Sequence, residues 1–197
     1  MKNTTTKTTI IIICLVAALV GYYAYLSNRS KERIDDAEMT VVQSVLGRDL
    51  TKDYPATPKE VLKYYNDIME CFYNEECTEE EIDELGYKAR ELYDEELLAN
   101  NELGTYLIRL HAEVDAFKTA GRRITSSSVA ASTNVDFYEV DGHSFARLLS
   151  TYNVMDGGLN QSVKTIYLLR KDENKKWKIY GWDAEANVNL EEATSGE

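Results

Sequence analysis

The amino-acid sequence predicts an α+β fold, in which an N-terminal transmembrane helix precedes about three helices packed on an antiparallel sheet of four to five strands. Three observations predict it. A long uncharged apolar segment opens the chain, helical periodicity with capping signals covers residues 57–120, and β-branched and aromatic residues between turn signals cover residues 122–184. Helices followed by strands favour helices on one face of a sheet.

Residues 8–28 form the predicted membrane anchor. The 21 residues between Lys7 and Arg29 carry no charge, and a helix of this length spans about 30 Å, the thickness of a bilayer's hydrocarbon core. Three tyrosines in residues 22–25 stand where an interfacial aromatic belt belongs. A cleavable signal peptide needs small residues at −3 and −1, which residues 24–26 do not offer. We expect a single-pass signal-anchor in the cell membrane, in contact with the bilayer.

The charge distribution bears on partners and on membrane orientation. Residues 1–26 hold two cations and no acids, so the rest of the chain has 20 cations against 34 acids, a net charge of −14. Such an acidic domain repels phosphate backbones, so we expect no nucleic-acid partner. A short acid-free tail before a long acidic domain is typical of a translocated domain, which predicts that the domain is extracytoplasmic.

The chain divides into four predicted parts. Residues 1–28 are the tail and anchor, 29–56 a juxtamembrane helical linker, 57–187 the α+β domain, and 188–197 an acidic flexible tail. The linker carries an apolar stripe at helical spacing that ends at Gly47. This stripe either packs on its own domain or forms a self-association seam, and the sequence leaves both interpretations open.

The domain opens with two strong helix starts. Thr57 with Glu60, and Thr78 with Glu81, have the spacing of a capping box. A third helix is predicted over residues 103–120, after a short helical turn at residues 94–98. The predicted strands are residues 124–132, 134–140, 144–155, 162–170 and 176–182, and the turn signals between them favour an antiparallel meander.

The last two strands carry apolar residues on both faces. Alternation places Tyr167 and Leu169 opposite Ile166 and Leu168 on the fourth strand. On the fifth, it places Trp177 and Ile179 opposite Tyr180 and Trp182. A second apolar face needs a cover, which the linker helix, a second copy of the chain or another envelope protein would supply.

The order of elements resembles the nuclear-transport-factor-2-like superfamily, in which helices are cupped by a strongly bent antiparallel sheet that forms a cone. The closest likeness is in residues 168–179, an apolar strand and a charged turn that lead to Lys176-Trp177-Lys178-Ile179. The start at residues 57–61 is also similar. More closely, residues 54–61, 73–76 and 96–101 resemble a family of uncharacterised bacterial single-span proteins, which implies fold and layout but no known activity.

The resemblance also implies where a site would lie, since cone-shaped relatives include isomerases and dehydratases with a base and tyrosine donors in the pocket. His111 and Asp115 lie four residues apart on one helix face. Tyr152, Tyr167 and Trp182 are the candidate lining residues on the sheet. A histidine satisfied by ordinary packing is the simpler interpretation of His111.

The sequence predicts no metal site and no cofactor, since the two histidines stand on different elements without Cys or carboxylates at ligand spacing. Cys71 and Cys77 either form a small-loop disulfide or remain free thiols.

From these observations we expect a membrane-anchored, extracytoplasmic binding or scaffolding domain without enzymatic activity. Its layout resembles the inner-membrane scaffold proteins of type IV secretion. The alternative is an enzyme of the isomerase or dehydratase type that uses the cone pocket. A deep closed pocket holding His111 and Asp115 would favour the enzyme, whereas a filled cone with an exposed sheet patch would favour a binding or scaffolding role.

Overall fold

A computed structural model describes residues 40–185. The predicted anchor at residues 8–28 and the predicted tail at residues 188–197 lie outside this range. Among the described residues, every helix is too short or too polar to cross a bilayer. The domain is α+β, which confirms the predicted fold class, with five α-helices and one five-stranded antiparallel sheet between residues 40 and 185.

The helices are α1 (Val41–Leu46), α2 (Pro58–Asn74), α3 (Glu79–Glu91), α4 (Glu95–Ala99) and α5 (Leu103–Thr119). The strands are β1 (Arg123–Val129), β2 (Asp136–Val140), β3 (His143–Asp156), β4 (Leu159–Lys171) and β5 (Trp177–Ala184).

Both predicted capping boxes are present. The Thr57 hydroxyl accepts the backbone N–H of Glu60 at 3.2 Å, and the Glu60 carboxylate accepts the Thr57 N–H at 3.1 Å. Thr78 and Glu81 form the same pair of bonds at the start of α3. Each box satisfies backbone donors that the first helical turn leaves without partners.

The first described residues pack against the long helix α2. Val42 and Val45 of α1 and Leu50 after it are buried in the same hydrophobic core as the long helix α2, and the Tyr64 hydroxyl of α2 donates to the Val45 carbonyl at 2.8 Å. These residues fall within the predicted juxtamembrane linker, residues 29–56. Val42 and Val45 of the apolar stripe therefore pack on their own domain.

Strand β3 lies between its neighbours in the sheet. One side pairs with β4, and the other pairs with β2 near its start and with β1 near its end. The predicted meander is therefore wrong for β1 and β2, which do not pair with each other. A short 3₁₀ turn at Ser132–Asn134 joins them along one edge of β3, and the Ala130 N–H donates to the Leu149 carbonyl at 2.9 Å, so the chain continues along β3 without reversing.

A β-bulge in β5 changes which side chains face the helices. Leu169 pairs with Ile179 but Leu168 pairs with Gly181, so Tyr180 is an extra residue without a partner on β4. Beyond the bulge, Trp182 lies opposite Tyr167, on the same face as Ile179. The prediction that Trp182 faces away from Ile179 is wrong, because simple alternation takes no account of an inserted residue.

The segment between α3 and α4 is attached to the free side of β5. The Asp94 N–H donates to the Ile179 carbonyl at 2.8 Å, and the Ile179 N–H donates to the Leu92 carbonyl at 2.8 Å. The Asp94 side chain is buried and accepts two hydrogen bonds from Arg170 of β4. These contacts fix Tyr93 beside the sheet and set the course of the chain toward α5.

Candidate ligand cavity

A half-open cavity of about 280 Å³ lies where α2, α5 and the last two strands meet. Its lining combines aromatic rings inside with polar and charged groups toward solvent. The lining residues are Tyr65, Met69, Tyr73, Tyr93, Asn101, Tyr106, Arg109, Leu110, Glu113, Tyr167 and Trp182. Mostly apolar and aromatic walls with a few converging polar groups are typical of sites for small ligands.

Four rings form the floor of this cavity. Tyr65, Tyr93 and Tyr167 are each only 4% exposed, whereas Trp182 is 46% exposed. The Trp182 ring centroid lies 6.3 Å from that of Tyr65, 5.8 Å from that of Tyr93 and 6.0 Å from that of Tyr167. The rings are tilted relative to one another, as aromatic clusters prefer. The three buried tyrosines therefore form a rigid floor, and the Trp182 indole ring on it is left partly exposed to solvent.

The floor tyrosines belong to a buried hydroxyl network. The Tyr65 and Tyr93 hydroxyls lie 3.1 Å apart, and those of Tyr152 and Tyr167 lie 3.2 Å apart. The Tyr152 hydroxyl also donates to Asn66 Oδ1 at 2.5 Å. Burial raises the pKa of Tyr65 and Tyr167 well above the ordinary tyrosine value. These groups are neutral hydrogen-bonding groups at physiological pH and cannot act as bases there.

Two opposite charges stand at the mouth, both on α5. Arg109 Nη2 donates to Asn101 Oδ1 at 2.9 Å, and the Tyr73 hydroxyl donates to Glu113 Oε1 at 2.7 Å. Both charged side chains belong to exposed residues. At a spacing of four residues they could pair with each other, yet within residues 40–185 each contacts a different neighbour and no ion pair joins the two.

Two of the predicted site residues lie outside this cavity. His111 Nε2 hydrogen-bonds to Asp83 of α3 at 2.8 Å, and Asp115 is exposed. Neither residue is among those that line this cavity, and Leu110 and Val114 are the residues of α5 that are buried against the core. His111 directly follows Leu110, and Asp115 directly follows Val114. Both side chains therefore face a different direction from the buried ones.

The three predicted sheet residues are better placed. Tyr167 and Trp182 line the cavity, and Tyr152 lies behind them, hydrogen-bonded to Tyr167. Sequence reasoning missed the wall contributed by Tyr93, Tyr106, Arg109 and Glu113. Spacing on α5 offered one signal, since residues 106, 109, 110 and 113 share a helix face.

The structure also shows the two cysteines of the domain and the arrangement of its potential metal ligands. Cys71 is buried and Cys77 is half-buried, and both are free thiols, with Cys77 Sγ donating to the Cys71 carbonyl at 3.5 Å. Between residues 40 and 185, no three His, Cys, Asp or Glu side chains gather closely enough to hold a metal ion.

Comparison with known proteins gives a family but no activity. No curated protein matches the chain. The sequence model of one family, described as "Domain of unknown function (DUF6715)", matches residues 1–182. Because the match covers most of the 197 residues, the chain belongs to the DUF6715 family.

Proposed function

We propose that this chain is a single-pass membrane protein whose extracytoplasmic domain binds a small ligand in the aromatic cavity and has no enzymatic activity of its own. The observation that carries the proposal is the half-exposed Trp182 ring on a floor of three buried tyrosines. A large aromatic face left in water on a rigid floor gains free energy when an apolar ligand covers it.

The polar groups of the cavity support binding over catalysis. General acid–base chemistry needs a titratable group placed beside the reacting atoms, with a pKa near the operating pH. The buried tyrosines are neutral hydroxyls, and the one lining carboxylate, Glu113, is exposed and accepts a bond from Tyr73. The alternative, an isomerase or dehydratase, depended on His111 and Asp115, and neither lines the cavity.

The membrane part of the proposal rests on the sequence. Residues 8–28 have the length and apolarity of a transmembrane span. The family match runs from residue 1 to residue 182, so it includes this segment together with the domain. A helix-then-sheet domain behind one span also supports the nuclear-transport-factor-2-like arrangement, which we retain as part of the proposal.

The outer strand β2 supports an additional scaffolding role. Every residue of β2 is exposed, and Phe137 is 57% exposed. Tyr138 stacks on Phe145 of β3 with ring centroids 5.7 Å apart. Exposed aromatic side chains on a strand paired on one side are typical of protein contacts. A second copy of the chain or another envelope protein would be the partner.

Thermal unfolding of the full-length protein against a set of small metabolites tests the binding role. A ligand at about 100 times its Kd is expected to raise Tm by about 5 °C or more. Trp182→Ala should lose the shift. Tyr87→Ala is the matched control, because Tyr87 is a 45% exposed aromatic residue that does not line the cavity. Conversion of the stabilising compound into a product would instead establish an enzyme.

Protease added to intact cells tests the orientation. An extracytoplasmic domain is cut without lysis, whereas a cytoplasmic reference protein remains whole. A domain that is degraded only after lysis would contradict the proposed orientation without affecting the binding test.

Crosslinking in cells through a photoreactive residue at Tyr138 tests the scaffolding role, which fails if no crosslinked pair forms.

A further inference from the structure

Two opposite charges, Arg109 and Glu113, stand above the aromatic floor of the cavity, and within residues 40–185 neither forms an ion pair. This combination defines a class of ligand. We propose that the site binds a small zwitterion with a flat apolar group, of which a free aromatic α-amino acid is the simplest example. This inference rests on the proposed binding function and specifies its ligand.

The floor accounts for the apolar part of such a ligand. The exposed Trp182 face, with Tyr65 and Tyr167 beneath it, provides a stacking surface for one planar group. A cavity of about 280 Å³ lies at the small end of ligand sites, which matches a compound of one ring and a short polar end.

The mouth accounts for the charged part. Arg109 and Glu113 are one helical turn apart, about 6 Å along the axis of α5. Arg109 uses one donor on Asn101, which leaves the rest of the guanidinium for a carboxylate. Glu113 Oε1 accepts from Tyr73, and within the described residues Oε2 has no hydrogen-bond partner, so it can accept from an ammonium group.

Because the two opposite charges lie apart from each other, the site favours a zwitterion over a ligand with a single charge. Arg109 and Glu113 are held by partners from different elements, Asn101 before α5 and Tyr73 of α2. A ligand carrying both signs on one carbon can contact both side chains at once. Arg90 is the other cation nearby, but it donates to the Asn101 carbonyl at 2.6 Å and covers the Tyr106 ring, so it is already engaged.

Three compounds with the same ring separate the contributions of the two charges. L-Phenylalanine carries both groups, phenylethylamine has only the ammonium, and phenylpropionate has only the carboxylate. Titration of the full-length protein in mild detergent, followed by tryptophan fluorescence, gives a Kd for each. We expect L-phenylalanine to bind about tenfold more tightly than either analogue, since each analogue lacks one charge-assisted hydrogen bond.

Charge-neutral variants test which side chain binds which charged group of the ligand. Arg109→Gln should weaken L-phenylalanine and phenylpropionate but leave phenylethylamine unchanged. Glu113→Gln should weaken L-phenylalanine and phenylethylamine but leave phenylpropionate unchanged. Asp115→Asn is the matched control, since it removes an exposed carboxylate of the same helix that does not line the cavity, and all three Kd values should stay at their wild-type level.

The outcomes distinguish this inference from the proposed function. Equal binding of the three compounds, or tighter binding of one singly charged analogue, overturns the zwitterion and leaves a binding domain with another ligand. The zwitterion is also overturned if L-phenylalanine does not bind while another metabolite stabilises the wild type but not Trp182→Ala. The binding function itself fails if no compound at all stabilises the wild type.

Discussion

Tyr167 of β4 and Trp182 of β5 lie directly opposite each other in the sheet, with their ring centroids 6.0 Å apart. They share a face because the bulge at Tyr180 shifts the alternation of β5 by one residue. Without that extra residue, Trp182 would point away from the helices and the cavity would lose its exposed ring. The proposed ligand site therefore depends on one local irregularity of the last strand.

We predict that the buried ion pair between Asp94 and Arg170 stabilises the part of the fold that forms the cavity wall. The Asp94 side chain is 3% exposed and that of Arg170 is 10% exposed. Asp94→Ala leaves a largely buried guanidinium without its main partner, so we expect a loss of about 3 kcal/mol in the free energy of unfolding. Denaturant unfolding monitored by circular dichroism measures it.

Glu95 is the control for this pair. It is the next residue along the chain, its carboxylate is 3.9 Å from Arg170, and its side chain is 91% exposed. Glu95→Ala should change the free energy of unfolding by less than about 0.5 kcal/mol. Similar losses for the two variants would mean that the buried pair does not stabilise the fold as argued.

Much of the fold is predictable from local sequence. Thr57 and Thr78 start helices because their hydroxyls and the glutamates three residues later satisfy the same backbone donors. Asp141-Gly142 marks a tight hairpin because both residues adopt positive φ, 49° and 79°, and this turn type matches the twist of the strands.

The cavity is less predictable, because it depends on contacts between distant parts of the chain. Arg170 and Asp94 are 76 residues apart in sequence, and neither has a local signal for pairing with the other. The bulge at Tyr180 carries no distinctive motif. For these reasons alternation placed Trp182 on the wrong face, and spacing alone selected His111 and Asp115 from a helix whose neighbouring face lines the cavity.

The buried tyrosines predict loss of stability at alkaline pH. Burial raises the pKa of Tyr64 to about 12 from an ordinary value of 10.0, and raises the pKa values of Tyr65 and Tyr167 well above 10.0. A raised pKa means that the unfolded chain releases these protons first. Their contribution is therefore complete below pH 10.0 and is lost progressively as the pH rises above it.

An alkaline titration measures this effect. Tyrosinate absorbance and circular dichroism are followed together as the pH is raised. We expect the exposed tyrosines to ionise first, with the remaining absorbance appearing only as the native dichroism disappears. Ionisation of all fourteen tyrosines in a single transition centred near pH 10.0, with native dichroism retained, would show that the hydroxyl network is not buried.

The two thiols of the domain are predicted to differ in reactivity. Burial raises the pKa of Cys71 to about 12, and Cys71 is fully buried, whereas Cys77 is half-buried with a smaller rise in pKa from the same cause. Because the thiolate is the reactive form, an alkylating reagent should modify Cys77 well before Cys71. Mass spectrometry of Cys14→Ser, which removes the third cysteine, follows both sites. Equal rates, or a Cys71–Cys77 disulfide in the isolated protein, would contradict this.

The most direct test of the central claim is fluorine NMR of the full-length protein with fluorotryptophan at its two tryptophan positions. Trp182→Phe assigns the two resonances, and the buried Trp177, 8% exposed, serves as an internal reference. On titration with L-phenylalanine, we predict that the Trp182 resonance moves to saturation while that of Trp177 stays in place. A Trp182 resonance that does not move, or two resonances that move together, would contradict a ligand site on the Trp182 face.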